Sequence, residues 1–166
     1  MKNLTKFSIF DKLSATQLGE IHSILQEKSF EAGQVITREN EVGDELFLLL
    51  KGKVEVSKSL TLMVGRGDLD TRDKSLIQLK ADDYPFFGEM AILREDSKRS
   101  ATVRALEHCV VGIIKRKDLV DLCEADTNLG YRVLGNIAKT LADHLEKADR
   151  DISKLTTAFS LALQMQ

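Results

Sequence analysis

The residues with most chemistry to offer stand close together between Phe87 and Val103. They are Phe87-Gly88-Glu89-Met90-Ala91-Ile92-Leu93, a polar loop, then Arg99-Ser100-Ala101-Thr102-Val103. Gly88 opens a short apolar helical turn, Met90 to Leu93, whose first backbone N–H groups have no partner within the helix and point outward. Lacking a Cβ, Gly88 lets a ligand approach the backbone closely. Arg99 carries a planar fork of donors suited to phosphate, and Ser100 adds a hydroxyl. Thr102 and Val103, both β-branched, should begin a strand. Glu89 has the opposite chemistry: a carboxylate repels phosphate and accepts hydrogen bonds from a sugar hydroxyl. A phosphate and a hydroxyl on one compact ligand point to a nucleotide. The competing reading is an ordinary loop with Arg99 and Glu89 salt-bridged to each other.

The segment resembles the phosphate-binding cassette of cyclic nucleotide-binding domains, the family of the bacterial catabolite activator and the kinase regulatory subunits. The family pattern is Phe/Ile-Gly-Glu-aliphatic-small, about ten residues of loop, then Arg-Ser/Thr/Ala-Ala-x-Val. Residues 87–91 and 99–103 match it, as does the spacing from Glu89 to Arg99. The resemblance implies that Glu89 binds the ribose 2′-hydroxyl and Arg99 the cyclic phosphate, with Gly88, Met90, Ala91, Ser100 and Ala101 completing the cradle. It implies no catalytic residue and no metal. Family members selective for cyclic GMP (cGMP) often carry Thr after the cassette Arg. Ser100 stands there in this chain, which favours cyclic AMP (cAMP) as ligand over cGMP.

Flanking elements must hold this cassette in place. Ser14 with Gln17 reads as a capping box for a helix spanning about residues 14–28, in which Leu18, Ile21, His22, Ile24 and Leu25 keep helical spacing. His22 reads as a packed histidine at the edge of the core. From Phe30 the period changes. Phe30 to Ile36 reads as strand, Gly33 turn, strand; Asn40-Glu41-Val42-Gly43-Asp44 is a second turn; Leu46 to Leu50 is a buried strand. Lys51-Gly52-Lys53 turns into the alternating Val54-Glu55-Val56, and Val103 to Ile114, including a buried Cys109, closes the set. Short strands punctuated by glycines predict an antiparallel β-roll, or jelly roll. The resemblance covers this roll and the helices after it. It departs at Asn40, where the family often has Gly, although Asn tolerates the left-handed conformation.

Two stretches are less regular. Leu60 to Val64 and Ser75 to Leu79 read as paired strands joined by a long charged tip, residues 65–74. Asp68, Asp70 and Asp73 could be read as a calcium loop. Arg72 occupies a would-be ligand position, and the Gly and closing Glu are missing, so a solvated hairpin tip is the better assignment. Ala81-Asp82-Asp83-Tyr84-Pro85-Phe86 replaces the family's short Gly-Asp turn with something longer and stiffer, altering how Gly88 and Glu89 present themselves.

After a short helix from Lys117, residues 128–163 carry a second pattern. Leu134, Ala138, Leu141, Leu145, Ala148, Ile152, Leu155, Phe159 and Ala162 alternate spacings of four and three, an unbroken heptad seam. A helix this long cannot bury such a stripe on a small domain, so a homodimer is expected; docking across the roll would use only its first half. By resemblance this helix forms the dimer axis and covers the ligand base, which singles out Thr140 and His144. The expected division is residues 1–126, β-roll with N-terminal helix, and 127–166, long C-terminal dimerisation helix.

Composition narrows the classes. The chain has 166 residues, 43% hydrophobic, with a net charge of −2 and interspersed signs, so no basic stripe offers itself to nucleic acid. No direct DNA binding is expected, because no recognition helix follows the long helix. No apolar run is long enough to cross a bilayer, no signal-peptide core follows Met1, and Cys109 and Cys123 form no disulfide framework, so a cytoplasmic setting is the expectation. Three functions compete. The first is a cyclic nucleotide sensor signalling through a homodimer helix to an unknown downstream protein. The second is a cupin-type enzyme, disfavoured because His22, His108 and His144 lack the spacing of a shared metal site. The third is a degenerate, non-binding β-roll acting as a dimerising interaction scaffold, supported by the altered turn at 81–86.

Overall fold

The computed structural model describes the backbone of residues 4–64 and 68–164, with side chains outside 60–73 and 164. Two antiparallel four-stranded sheets face each other. One has the order β1 (Gln26–Phe30), β8 (Cys109–Lys115), β3 (Glu45–Lys51), β6 (Phe86–Phe87); the other runs β2 (Val35–Thr37), β7 (Thr102–Ala105), β4 (Lys53–Val64), β5 (Asp68–Lys80). This is the β-roll expected from the glycine punctuation. Helices α1 (Ala15–Ile24), α3 (Arg116–Ala125) and α4 (Thr127–Gln164) flank it, and the short α2 (Glu89–Leu93) lies within the cassette.

The apolar run of β3 is buried on both faces, as a strand between two layers must be. Leu46 and Leu48 pack outward against Phe7, Ile9, Phe10, Ile21, Leu119, Leu129, Val133 and Ile137. Phe47 and Leu49 point into the roll, with Phe30, Val54, Val103, Cys109 and Val111. Two cores thus share one strand, and movement at the roll interior is one residue away from the helical layer. Cys109 is fully buried, and burial pushes its thiol pKa up.

The capping box is present: the Ser14 hydroxyl accepts from the Gln17 N–H at 3.2 Å, and the Gln17 side chain accepts from the Ser14 N–H at 3.0 Å. The helix stops at Ile24, however, four residues short of the expected Lys28. Residues 26–30 pair instead with 109–113 of β8, and the ladder outweighs local helix propensity. His22 is exposed on α1 and not a core-edge residue.

The tip at 65–74 is also shorter than expected. Asp68 to Lys74 pair in register with Val64 to Lys58, so Asp68, Asp70 and Asp73 lie along an extended strand and form no looped cage. Gly65, Arg66 and Gly67 lie outside the described residues. Asn40 adopts φ 66, the left-handed conformation its turn demands.

Helix α4 divides into two parts. Leu129, Val133 and Ile137 are fully buried against the helical layer. From Ala142 to Leu163 every residue is exposed, the seam residues included: Leu145 is 64%, Leu155 71% and Phe159 66% accessible. Its first turn is held by Asp126, whose carboxylate accepts the N–H groups of Asn128 (2.9 Å) and Leu129 (3.1 Å) and the Gln17 side-chain amide (2.8 Å). Among the described residues no helix is long and apolar enough to cross a membrane.

Candidate functional site

Arg99 is the most constrained side chain of the cassette. It is 8% exposed, the one buried arginine among the described residues. Its Nη2 donates to the Glu45 carboxylate at 2.6 Å and its Nη1 to the Glu45 backbone carbonyl at 2.8 Å. The Phe47 ring lies 5.0 Å from Cζ, and Phe87 stacks on Phe47 at 5.1 Å. The Arg99 backbone is fixed as well: its N–H bonds to the Glu41 carbonyl at 2.8 Å, and its own carbonyl accepts from the Asn40 N–H at 2.9 Å. A guanidinium carries five donors, and two are spoken for, so donors remain for an anion in the cavity.

Two glycines make room for this cation. A Cβ on Gly43 would fall inside the guanidinium, 2.6 Å from Cζ. A Cβ on Gly88 would sit 2.7 Å from the Glu45 carbonyl and 2.8 Å from Arg99 Nη1, and Gly88 also has φ +86. Gly88 is therefore required by its neighbours in the roll, a constraint that holds whether or not a ligand approaches. Arg99 does not pair with Glu89; its carboxylate partner comes from β3.

A cavity of about 440 Å³ opens in front of this arrangement, within the range of small-molecule sites. The structure brings all nine sequence-predicted residues to its wall. Gly88, Glu89, Met90 and Ala91 come from α2 and its N-terminal cap, Arg99, Ser100 and Ala101 from the loop before β7, and Thr140 and His144 from α4. Val56, Ile77 and Leu79 supply an apolar floor from the hairpin. Arg99 and Lys98 give one part of the wall positive charge, and Glu89 and Asp83 bring carboxylates. Such a wall can pair an anion and a hydroxyl-bearing group on one ligand while burying an apolar remainder. The Thr140 hydroxyl already donates to the Asn136 carbonyl at 3.1 Å, which leaves it to act as an acceptor. Among the described residues no three His, Cys, Asp or Glu side chains gather as for a metal; His22 lies on α1, His108 in the turn before β8 and His144 on α4.

Sequence reasoning missed Gly43, Glu45 and Phe47 as the seat of Arg99. The available signal was a charged residue at the head of the apolar run Leu46 to Leu50, directly after a glycine turn. It also missed Ser8 and Tyr84 as parts of the cavity wall. Residues 81–83 form a single 3-10 turn ending on Tyr84, and the altered approach lines the cavity without filling it.

A cation seated inside a β-roll fronts a cavity roofed by a long helix, an arrangement able to hold a small anionic ligand. A family model for the cyclic nucleotide-binding domain matches residues 27–126, and the chain belongs to that family. It is 33% identical over 156 residues to a cGMP-dependent protein kinase of Eimeria tenella, an alignment covering 94% of this chain and 13% of the kinase. The catabolite activator protein of Thermus thermophilus superposes with a TM-score of 0.73 at 26% identity, covering 90% of this chain and 63% of that one. A solved structure from Geobacter metallireducens GS-15 gives 0.66 at 27% identity, covering 86% and 95% respectively. Family members of this kind are typically regulatory and not catalytic, and only the binding-domain portion of the kinase is spanned here.

Proposed function

We propose that the cavity takes a 3′,5′-cyclic purine nucleotide, with cAMP favoured over cGMP, and that the chain is a non-enzymatic, cytoplasmic sensor. The observation that carries this is the convergence of the cassette and α4 on one cavity built around the Arg99–Glu45 pair. Arg99 and the adjacent Ser100, Ala101 and Gly88 would hold the cyclic phosphate, Glu89 the ribose 2′-hydroxyl, and Met90 and Ala91 the sugar edge. Thr140, an acceptor here, would take the exocyclic amine of the base, with His144 beside it.

The output runs through α4. Its heptad seam, exposed from Leu145 through Ala162, favours a second copy of this chain as partner, because no surface of one copy covers residues 142–163. Arg116 offers the route from the site. Its Nε donates to the Ile92 carbonyl at the end of α2 (3.2 Å) and its Nη2 pairs with Glu95 (3.3 Å), while its helix, α3, packs on α4. A ligand that shifts α2 would bias α3 and α4 in proportion to its different affinity for the two arrangements. A downstream protein partner would read that change.

Thermal shift with a panel of cyclic mono- and dinucleotides tests the reading. A ligand at 100-fold its Kd adds about 2.7 kcal/mol to the native state and raises the melting temperature. A cyclic purine mononucleotide that does so supports the sensor. No shift across the panel supports the scaffold alternative, a roll that dimerises without binding.

A further inference from the structure

Tyr84, at the end of the extra turn 81–83, combines several features that the cassette does not explain. Its backbone sits at φ 51, ψ 47, a left-handed conformation that is strained for a bulky residue. Its ring meets the buried Phe7 in a T-shaped contact, with centroids 5.6 Å apart and planes at 83°. Its hydroxyl accepts from Lys6 Nζ at 3.0 Å, and that ammonium lies 4.9 Å from the ring centroid. The chain segment before α1 thus holds the ring and its polar tip. This half-buried side chain packs partly on the helical core and also lines the cavity, as do Ser8 and Thr140.

A ring held at its tip and against Phe7, and standing on the wall of a ligand cavity, can pack against another flat group. In a cyclic nucleotide whose phosphate is fixed at Arg99, the flat group is the base. We propose that Tyr84 is the aromatic wall for that base, that it favours the larger face of a purine over a pyrimidine, and that Lys6 and Phe7 position it. The proposal rests on the cyclic nucleotide reading of the cavity. It adds a recognition residue outside the cassette and α4, and it makes residues 6–8 part of the ligand site.

The test is calorimetry on the full chain with 3′,5′-cyclic AMP, GMP, CMP and UMP, for the wild type, Tyr84→Leu and Tyr84→Phe. Leu keeps bulk and loses the ring; Phe keeps the ring and loses only the hydroxyl contact to Lys6. Aromatic–base stacking of this kind is worth enough that Y84L should cut the purine-to-pyrimidine affinity ratio by about tenfold. Y84F should keep the ratio within about twofold of wild type, and it also serves as the folded reference should Y84L lose its cooperative melt. An unchanged ratio in folded Y84L overturns the proposal, whether all four affinities fall together or none moves. A lowered ratio in Y84F equal to that in Y84L overturns it too, since the ring would then be immaterial. If the wild type binds none of the four, the cyclic nucleotide reading fails and takes this proposal with it; a uniform loss in Y84L fails Tyr84 alone.

Discussion

Glu45 holds Arg99 twice, through its carboxylate at 2.6 Å and its backbone carbonyl at 2.8 Å. The carboxylate half of that grip is removable without disturbing β3, because Glu45 is partly exposed and its backbone bonds are made within the sheet. Under the proposed function, Glu45→Ala leaves the guanidinium with one fixed donor and a wider choice of poses. Hydrogen bonds to charged groups are worth about 1.5–3 kcal/mol, so E45A should weaken cyclic nucleotide binding by roughly 10- to 100-fold. Titration calorimetry reads the change, and Glu45→Asp should recover part of it; equal affinities in E45A and wild type would count against the positioning role.

The two glycines at Arg99 should separate under the same substitution. At Gly43 the atoms nearest an added methyl all belong to the Arg99 guanidinium, so Gly43→Ala should displace that side chain and bind poorly while the backbone of the roll keeps its fold. At Gly88 it meets a backbone carbonyl at 2.7 Å in a left-handed backbone, so Gly88→Ala should lose about 1–3 kcal/mol of stability. Paired denaturation and binding measurements check both. A G43A variant with unchanged affinity would show that the guanidinium can bind from a displaced position.

Acid should act on the junction before α4. Hydrogen bonds from Gln17, then from Leu129 and Asn128, hold the Asp126 carboxyl below the usual carboxylate range. A depressed folded pKa means the contribution is complete above the unfolded value near 3.8 and is lost as pH falls through the folded one. Asp126→Ala should therefore lower the melting temperature at pH 7 and at pH 5 alike. The gap to wild type should narrow below about pH 4. Thermal melts at pH 7, 5 and 3 follow it, and a gap as wide at pH 3 as at pH 7 would contradict the assignment.

The seam on α4 makes a separate prediction. If two copies pair along it, Ile152→Asp with Leu155→Asp places charge at adjacent seam positions and should convert a dimer to a monomer without lowering the cooperativity of the β-roll melt. Sedimentation velocity reads the association state. A wild-type monomer at tens of micromolar, or a dimer that survives both substitutions, removes the homodimer from the account.

The cassette was legible because its chemistry is local: Gly88, Glu89 and Arg99 stand within one short stretch, and the strand after Arg99 announces itself through Thr102 and Val103. The capping box and the seam were legible for the same reason, being patterns of near neighbours. What Arg99 rests on was harder to read, because Gly43, Glu45 and Phe47 lie more than fifty residues away in sequence and the one local signal, a charge heading the apolar run, does not name its partner. The end of α1 was missed on similar grounds. No Gly or Pro stops the helical pattern at Ile24; the partner strand 109–113 does, and it lies far along the chain. At the hairpin, charges on Asp68 to Lys74 resembled a solvated loop, whereas their backbone completes a ladder with β4.

The central claim is that the Arg99 guanidinium, seated by Glu45, anchors the phosphate of a cyclic nucleotide. Calorimetric titration of wild type and Arg99→Leu with cAMP tests it most directly. Loss of a charged partner at a buried anion site costs about 2–5 kcal/mol, so R99L should bind at least 30-fold more weakly while melting cooperatively. Equal affinity in the two proteins, or no binding of any cyclic nucleotide by wild type, would contradict it.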